Sequence, residues 1–388
     1  MPQLQPGEAL VEVKAIGLNF ADVFCCLGLY QAAPKGAFTP GLEFAGVVTD
    51  VHPDNPDDSS GGGQTPSISL RPGDRVMGVT RFGAFASHVA LAAGYLRPIP
   101  DGWSFAQGAA FAVQALTAAY GLLVLGDLQA ACKRRPGGAT VLVQSAAGGV
   151  GLQAVAICRA CGARVLGLVG SDGKVKTMRQ ILHHQPGGGG GVTLSPEITG
   201  SGSGSGGGSG GGSGGDEAAA LGVGVVARVR GDAAVRAQLQ GYLRARDLEG
   251  FDVFLDSAAG EYLQPGYVVF GAGTLTPPPG ISLARDWRLL WPPNLLAALR
   301  LLLSWATRPR LDVLTMPGEN KGALGFNLIW LYQRADLMAD LFDQVQALHL
   351  PPPHVGLVEP WERLPAALEA LQGGGTVGKV VVVVDGDG

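Results

Sequence analysis

The first part of the chain, up to about residue 115, consists of short, mostly apolar runs separated by polar and turn-forming residues. Residues 10–13, 47–49 and 75–77 are examples of such runs, and Pro72-Gly73-Asp74 is an example of a turn-forming sequence. Short apolar runs bounded by proline, glycine and aspartate are typical of β-strands joined by tight turns. We therefore expect the chain to begin with a β-rich domain.

From about residue 116 the pattern changes to apolar strands that alternate with helices. One helix is predicted over residues 149–161. The predicted strands cover residues 140–144, 164–169, 223–226, 253–256 and 267–270. Strands that alternate with helices of about 10–15 residues pair in parallel through crossover connections. The predicted fold class is therefore α/β, with a doubly wound parallel sheet after the β-rich domain.

A run rich in glycine and serine, residues 186–215, interrupts the second domain. This composition can bury almost no apolar surface, so we expect a disordered insert at the surface. The second domain is predicted over residues 116–330. The first domain is predicted over residues 1–115 and is completed by residues 331–388, because the last apolar run, 378–384, resembles the strands of the opening domain.

The amino-acid composition and net charge exclude several classes of protein. Hydrophobic residues make up 46% of the 388 residues and charged residues 15%, which excludes a chain that is disordered throughout. The net charge is −4 and no basic face is visible, so we expect no nucleic acid partner. Five cysteines without an apolar leader indicate a reducing compartment, which we interpret as the cytoplasm. A membrane span is not expected, because residues 289–306 contain two prolines and an arginine.

The segment from Thr140 to Gly151 has the pattern of a strand, a tight turn and the start of a helix. Gly148 leaves room for a diphosphate, Gly151 lets the helix pack on the strand, and the helix N-terminus offers N–H groups to the anion. Ala146 holds the position of the first glycine of the usual fingerprint. We predict a dinucleotide site formed by Ala147, Gly148, Gly149, Val150 and Gly151.

The end of the second strand of this domain discriminates between the two dinucleotides. An NAD enzyme places an acidic side chain there on the ribose diol, whereas an NADP enzyme supplies hydroxyl or basic groups. Gly170, Ser171 and Lys174 can hold a 2′-phosphate, and Asp172 is the competing observation. We therefore predict NADPH as the cofactor.

Four further motifs resemble those of a known family. They are Gly17-Leu18-Asn19-Phe20-Ala21-Asp22 with Gly28-Leu29-Tyr30, then Pro40 to Gly46, Pro72 to Val76, and Gly378-Lys379-Val380. The chain resembles the medium-chain dehydrogenase/reductase superfamily, in its zinc-independent quinone oxidoreductase (zeta-crystallin-like) branch, and within it the vesicle amine transport protein homologues. Cys26 departs from the pattern, since the family often has arginine there.

The resemblance implies a GroES-like catalytic domain, a Rossmann domain, NADPH in the cleft between them, and a homo-oligomer. It places Asn19 and Tyr30 beside the nicotinamide as catalytic residues that orient the substrate. It also implies cofactor contacts from Thr117, Gly271 and Lys379. The alternatives are a turn-forming residue for Asn19, a packed aromatic for Tyr30 and a solvated charge for Lys379.

Zinc-dependent relatives bind their catalytic metal through a cysteine and a histidine, at positions that Asn19 and Leu42 hold here. We therefore expect no metal site. The C-x-x-C formed by Cys158 and Cys161 is interpreted as two buried helix residues rather than a redox pair. Cys25 and Cys26 leave a reactive thiol in the cleft as a minor alternative.

Without a Lewis acid, the substrate has to be electrophilic by itself. A quinone or an α,β-unsaturated carbonyl meets that condition, so NADPH-dependent reduction of such a substrate is the leading hypothesis. An enoyl thioester is the alternative substrate. A non-catalytic NADPH-binding protein that contacts a membrane surface through residues 287–305 is the alternative from another class.

Overall fold

The computed structural model describes residues 4–52, 69–184, 222–229, 232–256, 316 and 322–384. Four predicted features therefore lie outside the described residues. They are the insert at 186–215, the strand at 267–270, the cofactor contact Gly271 and the apolar segment 287–305.

Eleven strands are described within these ranges. They are Glu8–Gly17 (β1), Glu43–Val51 (β2), Arg75–Val79 (β3), His88–Ala92 (β4), Leu96–Pro98 (β5), Thr140–Gln144 (β6), Arg164–Val169 (β7), Val223–Ala227 (β8), Val253–Leu255 (β9), Val355–Pro360 (β10) and Lys379–Val383 (β11). The strands predicted at 140–144, 164–169 and 223–226 are confirmed within one residue.

Ten α-helices are described in the same part of the chain. They are Phe20–Cys26 (α1), Phe105–Ala109 (α2), Ala112–Ala119 (α3), Leu128–Arg134 (α4), Gly149–Ala160 (α5), Asp172–His184 (α6), Asp232–Arg244 (α7), Leu328–Leu331 (α8), Ala335–Ala347 (α9) and Leu364–Gly373 (α10). A π-helical turn, Tyr120–Leu125, continues α3.

The first sheet has seven strands in the order β10-β11-β1-β2-β3-β5, with β4 also paired to β1. The long strand β1 pairs along one edge with β4 through its first half and with β11 through its second half, where Ala15 lies opposite Val383. The expectation that the C-terminal strand returns to the opening domain is therefore confirmed. The valines of β11 are buried on both faces, which explains their unbroken apolar run.

The second sheet is parallel throughout and has the order β8-β7-β6-β9. Numbered from β6, this order is 3-2-1-4, so the direction of winding reverses between β6 and β9. In doubly wound sheets, ligands bind in the crevice outside the carboxyl ends of the strands at this reversal. The α/β class with a β-rich opening domain is confirmed, and the topology places the candidate site at the end of β6.

One continuous core joins the two sheets. Ala45 and Met77 of the first sheet share a buried cluster with Leu116 of α3 and with Val143 and Val165 of the second sheet. Because α3 lies between the sheets, the predicted boundary at residue 115 falls inside a helix. The exact domain boundaries therefore stay a prediction.

Among the described residues, one helical stretch, Phe105–Leu125, is long and apolar enough to span a membrane by length and composition. It differs from residues 289–306, which were the candidate span in the sequence. Most of it is buried inside the protein, and the core helix of a globular domain meets the same criteria.

Candidate active site and cofactor site

The turn after β6 is sharp. Ser145 has a φ of 53°, a left-handed conformation that is rare for a residue with a side chain. The N–H of Ala146 donates to the carbonyl oxygen of Leu168 in β7, and the N–H of Gly148 donates to the carbonyl oxygen of Ser145. These two bonds fix the turn against the sheet before α5 begins.

The glycines of this turn make room for a diphosphate and for the helix. A Cβ on Gly151 would lie 2.3 Å from the carbonyl oxygen of Ser145, so only glycine lets α5 approach the strand. Gly148 is the N-cap residue of α5 and, as a glycine, has no side chain that could accept a hydrogen bond from the helix. The first backbone hydrogen bond of the helix is donated by the N–H of Leu152 to the carbonyl oxygen of Gly148. The N–H groups of Gly149, Val150 and Gly151 therefore precede the helical ladder and suit an anion.

Beside this turn lies a buried cluster formed by Asn19, Glu43, Gln114 and Lys379, which we call the joint cluster. Lys379 and Glu43 are 4% and 0% exposed, and Lys379 Nζ lies 2.5 Å from Glu43 Oε1. Lys379 Nζ also donates to Asn19 Oδ1 at 2.8 Å. Gln114 Nε2 donates to Asn19 Oδ1 at 2.8 Å and to Glu43 Oε1 at 2.9 Å. The cluster thus joins the start of β2, the start of β11 and α3.

The amide of Asn19 is saturated within the joint cluster. Its Nδ2 donates to the carbonyl oxygen of Gly17 at 3.2 Å and to Glu43 Oε1 at 3.0 Å. Its Oδ1 accepts from Gln114 and Lys379. A side-chain amide has two N–H donors and two acceptor lone pairs, so no donor is left for a substrate in this arrangement. The side chain of Asn19 is therefore held by hydrogen bonds within the cluster, and its catalytic role stays a prediction.

Local sequence places the members of the cluster. Asn19 caps α1, and its N–H donates to Asp22 Oδ2 at 2.7 Å in a capping box. Gly41, with a φ of 100°, precedes β2 and donates to Asp22 Oδ1 at 3.1 Å. Glu43 Oε2 accepts from the N–H of Val113 at the start of α3. Three separate elements are thereby tied together through two buried carboxyl groups.

Asp22 is fully buried, and burial raises its pKa to about 7, although the N–H group of Asn19 and the charge of Lys379 lower it. This carboxyl therefore takes up its proton near neutral pH, whereas an aspartate in water does so near pH 4. The opening motif consequently contains a group whose charge changes in the physiological range.

Tyr30 lies apart from the joint cluster. It packs in a small apolar group with Leu42, Phe82 and Ile329, and its hydroxyl accepts a 3.4 Å hydrogen bond from Asn327 Nδ2. Burial raises its pKa, which favours a hydrogen-bonding hydroxyl over a phenolate. Its catalytic role stays a prediction.

The residues predicted around the ribose lie at the carboxyl end of β7. Gly170 is exposed with open space where a Cβ would stand, and Ser171 Oγ accepts from the N–H of Lys174 at 3.4 Å. Lys174 Nζ donates to the carbonyl oxygens of Gly374 at 2.7 Å and Thr376 at 2.9 Å. Lys174 is thus held against the segment between α10 and β11, and its contact with a 2′-phosphate stays a prediction.

The segment between α10 and β11 also contacts the turn after β6, because the N–H of Gly378 donates to the carbonyl oxygen of Ala147 at 2.7 Å. Thr117, predicted near the ribose, is partly buried on α3 and its hydroxyl donates to the carbonyl oxygen of Val113 at 2.6 Å. The folded chain therefore brings the predicted cofactor contacts at Ala147, Lys174 and Lys379 to one edge of the protein.

The two adjacent cysteines and the C-x-x-C pair lack the environment of reactive thiols. Burial raises the pKa of Cys25 to about 12 and also raises that of Cys26. Burial likewise raises the pKa of Cys161 to about 11 and that of Cys158 further above its usual range. A raised pKa keeps a thiol protonated and weakly nucleophilic.

Two family models match the chain. The alcohol dehydrogenase GroES-like domain matches residues 5–101, and the zinc-binding dehydrogenase model matches residues 221–382. The chain belongs to the medium-chain dehydrogenase/reductase superfamily. The superfamily expected from its motifs is confirmed.

Two relatives of this superfamily member match different shares of the chain. The synaptic vesicle membrane protein VAT-1 homolog of Homo sapiens is 27% identical over 98% of this chain and 80% of its own length. The pikromycin polyketide synthase component PikAII of Streptomyces venezuelae is 42% identical over 178 residues, which are 46% of this chain. The match spans only 4% of the length of that synthase.

Solved structures agree with the fold. The quinone oxidoreductase from Thermus thermophilus, determined also in complex with NADPH, has a TM-score of 0.61 at 24% identity and covers 99% of this chain and 93% of its own. The CurK enoyl reductase has a TM-score of 0.64 at 22% identity, with coverage of 99% and 93%.

The donor set of this dehydrogenase/reductase does not fit a catalytic zinc ion. Among the described residues, no group of three or more His, Cys, Asp or Glu side chains could hold a metal. Asn19 and Leu42 occupy the motif positions, and the ammonium of Lys379 is bonded to Asn19 and Glu43. A second cation at these oxygen atoms would meet that charge at close range.

Sequence reasoning missed Asp22, Glu43 and Gln114. Asp22 and Glu43 belong to the two family motifs that were recognised, but their burial could not be read from spacing. A carboxylate between apolar residues, as in Leu42-Glu43-Phe44, was the available signal, because such a charge requires a buried partner. Gln114 gave no comparable signal in the apolar run that surrounds it.

We predict that Asp22→Asn changes the pH dependence of stability. Between pH 4 and 7 the folded protein retains a proton on Asp22 that the unfolded chain releases, so the wild-type free energy of unfolding should fall as the pH rises, by up to about 1.4 kcal/mol per pH unit. Asp22→Asn cannot titrate and should lack this decrease. Urea unfolding of both proteins at several pH values between 4.5 and 8 measures it.

The matched control is Asp336→Asn, because a hydrogen bond from exposed Arg334 lowers the pKa of Asp336 to about 2. This control should keep the wild-type slope between pH 4.5 and 7. Parallel stability curves for wild type and Asp22→Asn would contradict the raised pKa.

Proposed function

We propose that this oxidoreductase uses NADPH to reduce a quinone or an α,β-unsaturated carbonyl. The observation that carries the proposal is the uncapped N-terminus of α5, with its glycine turn, directly beside the joint cluster of the other sheet. The N–H groups at the start of α5 would hold the diphosphate of a dinucleotide, whose nicotinamide would supply a hydride. The NADPH complex of the structurally similar Thermus thermophilus quinone oxidoreductase supports the same cofactor.

Different residues of the chain would bind the cofactor and orient the substrate. NADPH would supply the hydride, and the N–H groups of residues 149–151 would hold its diphosphate. Ser171 and Lys174 would hold the 2′-phosphate, with Lys174 offering the charge. Tyr30 would orient the substrate oxygen from the apolar group around it. A conjugated substrate suits this site, because no described group of side chains forms a metal site that could polarise a simple ketone.

An enoyl thioester is the second candidate substrate. It is favoured by the 42% identity to a polyketide synthase component over nearly half of the chain and by the similar fold of the CurK enoyl reductase. Homo-oligomerisation and a cytoplasmic location also remain proposals. Contact with a membrane surface remains an alternative that depends on residues outside the described ranges.

The decisive experiment follows NADPH absorbance with purified protein and a panel of acceptors. We expect turnover of 1,2-naphthoquinone or of a simple enone, with NADH at least about tenfold less effective as the donor, since a lost 2′-phosphate contact is worth about 1.4 kcal/mol or more. Faster turnover of crotonyl-CoA would establish the thioester instead. Absence of NADPH binding by fluorescence would remove the proposal altogether.

We predict that Lys174→Gln reduces the preference for NADPH by about tenfold or more, because a charge-assisted contact to the 2′-phosphate is lost. The Michaelis constant for NADH should change little. The measurement is the ratio of kcat/KM for the two dinucleotides. Lys176→Gln, at an exposed position two residues along α6, is the control and should keep the wild-type ratio. Equal weakening of both dinucleotides would show that Lys174 supports only the segment it contacts.

We predict that Tyr30→Phe lowers kcat by about a hundredfold or more, because removal of one oriented donor has an effect of this order. Thermal stability should change little, since the hydroxyl makes only a 3.4 Å hydrogen bond. Tyr242→Phe removes a buried hydroxyl that makes a bond of the same length to Val165, away from the site, and serves as the control. An unchanged kcat in Tyr30→Phe would exclude Tyr30 from the mechanism.

A further inference from the structure

Gln114 connects the catalytic sheet to the diphosphate turn. Its side chain lies on α3 and is 5% exposed. Both hydrogens of its Nε2 are engaged, one by Asn19 Oδ1 and one by Glu43 Oε1. Because an amide group is planar, these two bonds fix the direction of its Oε1 as well.

The fixed Oε1 lies against the first residue of α5. A Cβ built on Gly149 would lie 2.9 Å from Gln114 Oε1 and 3.2 Å from its Cγ and Cδ. The helix N-terminus that offers its N–H groups to the diphosphate therefore rests directly on the glutamine side chain. A shift of the joint cluster would therefore move the Gln114 side chain against Gly149 at the start of α5.

Helix α3 makes a second contact with Glu43. Val113 donates its N–H to Glu43 Oε2 at 2.9 Å, and its carbonyl oxygen accepts from the hydroxyl of Thr117. Thr117 follows Gln114 by three residues and so lies on the same face of α3. The carboxylate of Glu43 thus positions both the glutamine under the turn and the helix that carries Thr117.

We propose that Gln114 is a positioning residue for the cofactor, which fixes the N-terminus of α5, and hence the bound nicotinamide, relative to the catalytic sheet. This proposal rests on the proposed NADPH-dependent function and assigns that site a residue outside the recognised motifs. A displacement of reacting groups by about 1 Å can lower a rate a hundredfold, so a contact of this kind affects catalysis without touching the substrate.

The test compares Gln114→Leu with Gln153→Leu. Leucine at position 114 fills the space of the glutamine with an apolar side chain. It leaves Lys379 bonded to Glu43 and Asn19. Gln153 is a control of the same type, since it is 3% exposed on α5 and lies outside the joint cluster. We expect Gln114→Leu to raise the NADPH dissociation constant and to lower kcat, each by about tenfold. Gln114→Leu should lower the Tm more than Gln153→Leu does, because it removes two hydrogen bonds within the joint cluster. Gln153→Leu should bind NADPH as the wild type does.

A double-mutant cycle tests the contact itself. Gly149→Ala should weaken NADPH binding in the wild-type background, because its methyl group meets the Gln114 side chain. In the Gln114→Ala background the methyl group has room. The increase in the NADPH dissociation constant caused by Gly149→Ala should therefore be at least about threefold smaller than in the wild-type background. This cycle remains informative if Gln114→Leu does not fold.

The outcomes separate the two proposals. A wild-type protein that does not bind NADPH would overturn the proposed function and this inference together. A wild type that binds NADPH, with Gln114→Leu binding equally well and turning over at the same rate, would overturn the inference alone. Strictly additive effects of Gly149→Ala and Gln114→Ala would do the same.

Discussion

The buried ion pair between Glu43 and Lys379 is the interaction on which the arrangement of the site depends. Two charges removed from water are tolerated only when they are paired and fully hydrogen-bonded, and loss of one partner of such a pair costs about 3–5 kcal/mol. Here Glu43 Oε1 accepts from three side chains, including Asn19 and Gln114. This requirement holds the start of β2, the start of β11 and helix α3 in one position.

The pair also brings the start of β11 next to the turn after β6, where the cofactor site is proposed. Lys379 stands in the last described strand, directly after Gly378, which is bonded to Ala147 in the diphosphate turn. Lys174 holds the same C-terminal segment at its other end. The catalytic sheet and the nucleotide-binding sheet are thereby joined at one edge, where the winding of the second sheet reverses.

Much of the fold could be predicted because the signals are local. The strand, turn and helix around Gly148 and the parallel strands that follow depend on period, glycine spacing and apolar runs, all of which are visible in a sequence. The partners within the site could not be predicted in the same way. Asn19 and Lys379 are 360 residues apart, and their 2.8 Å hydrogen bond depends on the pairing of β11 with β1.

The sequence by itself determined the α/β class, the strand, turn and helix around Gly148, the return of the last strand to the first sheet and the superfamily. It also identified Asn19 and Lys379 as residues of interest, because both lie in short motifs. Only the tertiary structure decided what these side chains do: the amide of Asn19 is saturated, Lys379 is a buried partner of Glu43, and Gln114 lies under Gly149. The physical reason is that periodicity and turn chemistry act between neighbours in the chain, whereas the pairing of buried charges is set by elements that meet only after folding.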